Sequence, residues 1–211
     1  DADGSPGAVG GGSVTYAIIA IAAALAYLLL WRKGKPSKTG WRIEHSPGMP
    51  ARPVPDGDGW GFTFPTNPGS HVHYVQNFDP PNLEPGKSIR ARFRVSGQGF
   101  TAQEWPDEPA TVSLLIQRKG DDWAARGEMA SYRWYSTQQV RLAEGEHTMT
   151  AQLSPAQWIG VHGSQDQSRF YEALRKADNI GLVFGSPSGR GHGVYATASA
   201  TFTLLSYEVA P

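Results

Sequence analysis

The 211-residue chain reads as mainly β, a jelly-roll-like antiparallel β-sandwich with one short helix, preceded by a single N-terminal transmembrane helix. Three observations predict this. An apolar run over 14–31 is followed at once by Arg32, Lys33, Lys35 and Lys38. Beyond residue 40, apolar side chains recur at every second position: Ile89, Ala91, Phe93 and Val95 alternate with Arg90, Arg92 and Arg94. That is the period of a strand with one buried and one wet face. Clusters of Gly, Pro, Asp and Asn divide such stretches at short intervals, as turns between strands require.

The apolar run, VTYAIIAIAAALAYLLLW, spans roughly 27 Å as a helix, and residues 8–13 would extend it to the roughly 30 Å of a bilayer core. Its cations follow it, and no small-residue cleavage site intervenes before Arg32, which argues against a secretory signal peptide. Tyr16 and Trp31 stand near its ends, where amphipathic rings favour the headgroup layer. Asp1 and Asp3 precede the helix and four cations follow it, so the positive-inside tendency predicts a cytoplasmic C-terminal domain, with the opposite topology as the alternative. Ala20 with Ala24, and Ala22 with Ala26, make small-xxx-small spacings suited to packing against a partner helix; a lipid-facing anchor is the plainer reading. The expected organisation is a flexible tail at 1–13, the transmembrane helix at 14–31, a basic linker at 32–40 and a sandwich domain at 41–211.

Composition narrows the function classes. With no Cys, the chain has neither disulfides nor Cys-bound zinc or iron–sulfur sites. It carries 19 basic and 19 acidic residues; tail and stem take Arg32, Lys33, Lys35 and Lys38 from the first and Asp1 and Asp3 from the second, leaving 15 against 17. A slightly acidic head makes a nucleic-acid partner unexpected. The basic stem suits anionic lipid headgroups.

Strands are expected at 41–44, 60–64, 71–75, 89–95, 111–117, 132–135, 147–153, 180–184 and 195–209. This many short strands favour two packed antiparallel sheets, and the absence of crossover helices argues against a parallel α/β fold. One helix is expected at 168–177, SRFYEALRKA, with Phe170, Leu174 and Tyr171 inward, cations Arg175 and Lys176 in the last turn, and Asn179 helping to stop it. The strand rhythm over 41–209 resembles galactose-binding-like and related carbohydrate-binding jelly rolls, which implies sugar recognition as a candidate role.

Several side chains are candidate sites. His71 and His73 share a strand face and, with His45 or Asp79, would make a nitrogen and oxygen metal site; surface histidines are the plainer reading. Asp56 and Asp58 in an Asp-Gly-Asp-Gly turn offer carboxylates of the type calcium prefers, with Asp79 or Glu84 as further ligands, against a solvated turn. No cofactor is otherwise implied. Trp105 and Trp123, flanked by Glu104, Pro106, Asp107, Asp121 and Asp122, are the better exposed indoles for stacking on a glycan. The loop 185–193, GSPSGRGHG, allows positive backbone dihedrals, and its Arg190 and His192 would grip an anion or oxygenated group. A long hairpin connection explains the same glycines. It lacks the lysine and trailing hydroxyl of a nucleotide-binding loop.

No nucleophile elbow, HExxH or cysteine nucleophile is present, and Glu104 with Asp107 is the carboxylate pair a glycosidase reading would use. The sequence favours a noncatalytic accessory or structural subunit of a membrane-associated assembly, in contact with lipid and protein partners. A membrane-tethered carbohydrate-binding module and a glycan-active enzyme are the alternatives.

Overall fold

The computed structural model describes residues 40–211. The expected tail, the apolar segment with Ala20, Ala22, Ala24 and Ala26, and the linker up to residue 39 lie outside the described residues. Among the described residues no helix is long and apolar enough to cross a membrane.

The strands run in chain order as β1 (Trp41–Glu44), β2 (Val54–Asp56), β3 (Gly59–Thr63), β4 (Tyr74–Asn77), β5 (Ser88–Ser96), β6 (Phe100–Ala102) and β7 (Thr111–Arg118). They continue as β8 (Arg133–Ser136), β9 (Val140–Arg141), β10 (Gly145–Gln152), β11 (Trp158–Gly160), β12 (Ala177–Gly185), β13 (Val194–Ala196) and β14 (Thr201–Ala210), with α1 (Gln167–Arg175) before β12. A seven-stranded sheet has the order β1-β4-β12-β7-β8-β11, with β9 also on β7; a five-stranded sheet has the order β10-β5-β14-β3-β2; β6 and β13 pair separately. Pairing is antiparallel throughout these sheets. The result is a two-sheet antiparallel sandwich that does not close into a barrel.

The alternation in β5 works as its sequence predicts. Ile89, Ala91, Phe93 and Val95 are buried while Arg90 and Arg92 are exposed. Phe93 stacks on Phe202 at 5.0 Å, and Phe202 on Phe62 at 5.4 Å, all within the five-stranded sheet. Phe184 of the facing sheet meets Phe202 edge-on at 5.3 Å, which joins the layers. Each such buried side chain contributes about 1.5–3 kcal/mol.

Helix α1 starts where Asp166 Oδ1 accepts the Arg169 N–H at 3.0 Å, an N-cap that satisfies a free donor. It buries Phe170, Ala173 and Leu174, and Phe170 lies against Trp134 and Trp158 at 5.2 and 6.0 Å.

Four expectations change. Asn179 does not end the helix: the chain enters β12 at Ala177, and Asn179 is buried in that strand. The stretch expected as one strand at 195–209 is two, β13 and β14, because the chain leaves the two-stranded sheet and joins the five-stranded one between them. Residues 71–73 precede β4 and form no strand of their own, with Val72 bridged to Val194. The outer face of the seven-stranded sheet is not wet at its centre, since β7 and β8 are buried at every position.

Candidate functional site

The outer face of the seven-stranded sheet is covered because two loops fold across it. In β4, β7, β8 and β12 the residues turned away from the sandwich core include Tyr74, Leu115, Tyr135 and Val183, which form a second buried cluster. Trp123 from one loop, and Ile159 and Val161 from the end of β11, pack on it half-buried. The Tyr74 and Tyr135 hydroxyls are 3.3 Å apart, and burial pushes both phenols above their ordinary pKa.

Beside them runs a buried polar network. Gln76 Nε2 donates to Gln117 Oε1 at 2.7 Å and Asn179 Oδ1 at 2.6 Å, and Gln117 Nε2 donates to Asp121 Oδ2 at 2.6 Å. Asp121 Oδ2 also lies 3.0 Å from Arg133 Nε, with both side chains almost wholly buried. The same carboxylate fixes Trp123: Asp121 Oδ1 accepts the Trp123 N–H at 2.9 Å, and Arg133 Nη2 donates to the Trp123 carbonyl at 3.0 Å. Trp123 has φ of 67°, a left-handed conformation strained for a bulky residue. Its ring is held between His45, at 3.7 Å, and Tyr74, at 4.8 Å, with the Arg133 guanidinium 5.1 Å from its centre. Strain that the surroundings enforce so completely is characteristic of functional positions.

The glycine-rich loop is the second cover. Ser186 and Gly189 exchange backbone hydrogen bonds at 3.1 Å, so the segment opens as a tight hairpin. A Cβ at Gly189 would strike the Trp105 ring, and one at Gly191 (φ 83°) would strike the Tyr74 hydroxyl. Trp105 thus braces the loop, with His192 edge-on to it at 4.9 Å and in turn paired with Glu104. Arg190 projects from the same loop, half-buried. Between Tyr135, Ile159, Val161, His162, Ser188 and Arg190 lies a depression of about 380 Å³. Its apolar wall and convergent polar groups suit a small polar ligand.

A larger concavity, about 740 Å³, lies elsewhere and is lined by residues that include Phe100, Asp107, Glu108, Arg141 and Glu144. No indole or phenol lines it. Glu104 and Asp107, the carboxylates of a glycosidase reading, go to different places: Glu104 to His192, Asp107 to this concavity.

The metal candidates do not assemble. His71 and His73 do share a face, with ring centroids 4.4 Å apart. His73 Nδ1 donates to the Gly191 carbonyl at 2.7 Å, and burial depresses this imidazole to about 4. His45 lies on Trp123, and burial lowers its pKa as it does that of His71. Asp56 in β2 accepts from the Thr203 hydroxyl and Asp58, in the turn before β3, pairs with Arg94 at 3.4 Å, while Glu84 pairs with Lys87. Among the described residues no three His, Asp or Glu side chains converge as a metal site.

Of the sequence-derived candidates, the outer face brings together Trp123, Arg190 and His73, with Trp105 and His192 as supports. Sequence reasoning missed Tyr74 and Arg133, and named Asp121 only as a neighbour of Trp123, and Tyr135 only as one aromatic among several. A usable signal was present: Tyr74, Gln117, Arg133 and Tyr135 occupy outward positions of strands whose inward residues are apolar. No family model, curated protein or solved structure matches the chain.

Proposed function

We propose that residues 40–211 form a noncatalytic carbohydrate-recognition head, which the apolar segment 14–31 holds at a membrane. The observation that carries the reading is the continuity of three features: the tyrosine floor, the strained half-buried Trp123, and the depression beside Ile159, Val161 and Arg190. Aromatic and apolar side chains cover the C–H faces of a sugar while guanidinium, hydroxyl and backbone groups satisfy its hydroxyls. The galactose-binding-like jelly roll that the strand rhythm resembles has the same two-sheet antiparallel plan, which supports this reading.

Anchoring gives the head a high effective concentration beside glycans at the same membrane. The charge order around residues 14–31 favours a cytoplasmic head, with the opposite topology as the alternative; protease protection in sealed vesicles distinguishes the two. A role as an assembly subunit making protein contacts has less to recommend it in the head. The large exposed hydrophobics among the described residues are Val54 and Phe78, and Phe78 lies under the Arg42 guanidinium.

The test is a glycan array probed with the full chain in phospholipid nanodiscs, beside the paired variant Ile159→Ala/Val161→Ala. Binding by the parent, reduced in the variant at unchanged near-ultraviolet circular dichroism, is the expected result. Silence of the parent toward every glycan overturns the proposal.

A further inference from the structure

Arg190 is a half-buried guanidinium whose protein neighbours are all neutral. Nη1 donates to the Pro187 carbonyl at 3.3 Å and Nη2 to the Thr137 carbonyl at 3.4 Å. The Gln139 carboxamide, turned so that its oxygen faces Arg190, accepts from Nε at 3.1 Å, from Nη1 at 3.2 Å and from Nη2 as well. The carboxylates around this loop are engaged elsewhere: Glu108 accepts from the Ser188 N–H and hydroxyl at 2.9 and 2.5 Å, and Glu104 pairs with His192.

The two most buried arginines are treated differently. Arg133 has Asp121 at 3.0 Å and Arg118 has Glu172 at 3.0 Å. Arg42 and Arg52 also have no carboxylate partner among the described residues, but Arg190 alone of these lines the depression. Burial disfavours its charged form, with no carboxylate to offset the cost. An anion entering the depression would supply that offset by displacing the neutral Gln139 oxygen, and the planar guanidinium fork matches a carboxylate in two parallel hydrogen bonds.

The depression offers more than a charge: His162 and Ser188 add polar groups to its lining. Ile159, Val161 and Tyr135 form an apolar wall next to the guanidinium. Its volume of about 380 Å³ is at the small end of small-molecule sites, which run from about 300 to 1,000 Å³. One or two sugar residues suit it better than a long chain.

Resting on the carbohydrate reading above, we infer that the head recognises acidic glycans of the uronic-acid class, with Arg190 binding the sugar carboxylate while Ile159 and Val161 cover the ring.

The experiment compares ligands that differ only at C6: methyl glucuronide with methyl glucoside, and methyl galacturonide with methyl galactoside. Each is titrated into the full chain in nanodiscs at low and high salt. The uronide of at least one pair is expected to bind about tenfold tighter than its neutral partner at low salt. That preference should shrink at high salt, vanish in Arg190→Gln and survive in part in Arg190→Lys. Equal affinity within both pairs overturns the inference, as does an undiminished preference in Arg190→Gln. Because the parent protein alone carries the comparison within each pair, a poorly folded variant does not decide the matter. Binding of neutral glycans without a carboxylate preference defeats this inference and leaves the carbohydrate reading standing; silence toward the whole array defeats both.

Discussion

The phenolic oxygens of Tyr74 and Tyr135 meet 3.3 Å apart on the outer face of the seven-stranded sheet, although β12 and β7 lie between their strands. Three inter-strand spacings amount to about 14 Å, so the two side chains lean toward each other across Val183 and Leu115. They form the floor on which Trp123 and Gly191 rest.

That burial has an alkaline signature. Tyr74, Tyr135 and Tyr207 are all pushed above the ordinary phenol range by desolvation. A folded-state pKa above the unfolded one gives stability that is full below about pH 10 and is lost as pH rises further. In a tyrosinate absorbance titration these phenols should ionise only with alkaline unfolding, and Tyr74→Phe or Tyr135→Phe should each remove one from that late step. All eight tyrosines titrating smoothly near pH 10 would contradict the buried floor.

His73 gives the opposite limb. Burial lowers its pKa from 6.5 to about 4, with smaller lowering contributions from His71, His192 and His45, and the Gly191 carbonyl opposing them. Because the folded value is depressed, its contribution is present above about pH 6.5 and is lost as pH falls toward 4, a loss of up to about 2–3 kcal/mol. Urea unfolding at pH 7, 5.5 and 4 should show this slope in the parent and a shallower one in His73→Gln. Identical slopes would place the acid sensitivity elsewhere.

Much of the sandwich could be read from the sequence, and the reason is visible in β5. Its arginines alternate with residues that enter the core, so period and burial agree. The same logic fails for β7 and β8, because their outer faces are covered by loops from 119–127 and 186–193 whose course no local pattern encodes. Arg190 and Trp123 stood out as unusual residues in turns. Tyr74 and Tyr135 did not, since their meeting depends on the strand order β4-β12-β7-β8, a nonlocal property. Asn179 illustrates the same limit: its propensity to end helices is overridden by the buried amide network with Gln76 and Gln117.

The Asp121–Arg133 pair is expected to be a stability determinant for the cover over this face. Asp121→Ala leaves a buried guanidinium unpaired and deprives the Trp123 N–H and Gln117 Nε2 of their acceptor. A loss of about 3–5 kcal/mol in chemical denaturation is expected. The double replacement Asp121→Leu/Arg133→Met should recover part of it, since no buried charge is then left behind. A loss below about 1 kcal/mol for the single variant would show that the pair is solvated.

Gly191→Ala tests the loop. Its φ of 83° and the closeness of the Tyr74 hydroxyl both oppose a Cβ. A modest destabilisation of about 1–2 kcal/mol should accompany a marked loss of glycan binding, because the loop that carries Arg190 must lift from the floor. Unchanged binding would separate the loop from recognition.

The most direct measurement maps where an oligosaccharide selected from the array perturbs the amide and indole NMR signals of the full chain in nanodiscs. The account predicts shifts centred on Trp123, Tyr135, Ile159, Val161 and Arg190. Shifts centred instead on Phe100, Asp107, Arg141 and Glu144, around the larger concavity, would contradict it.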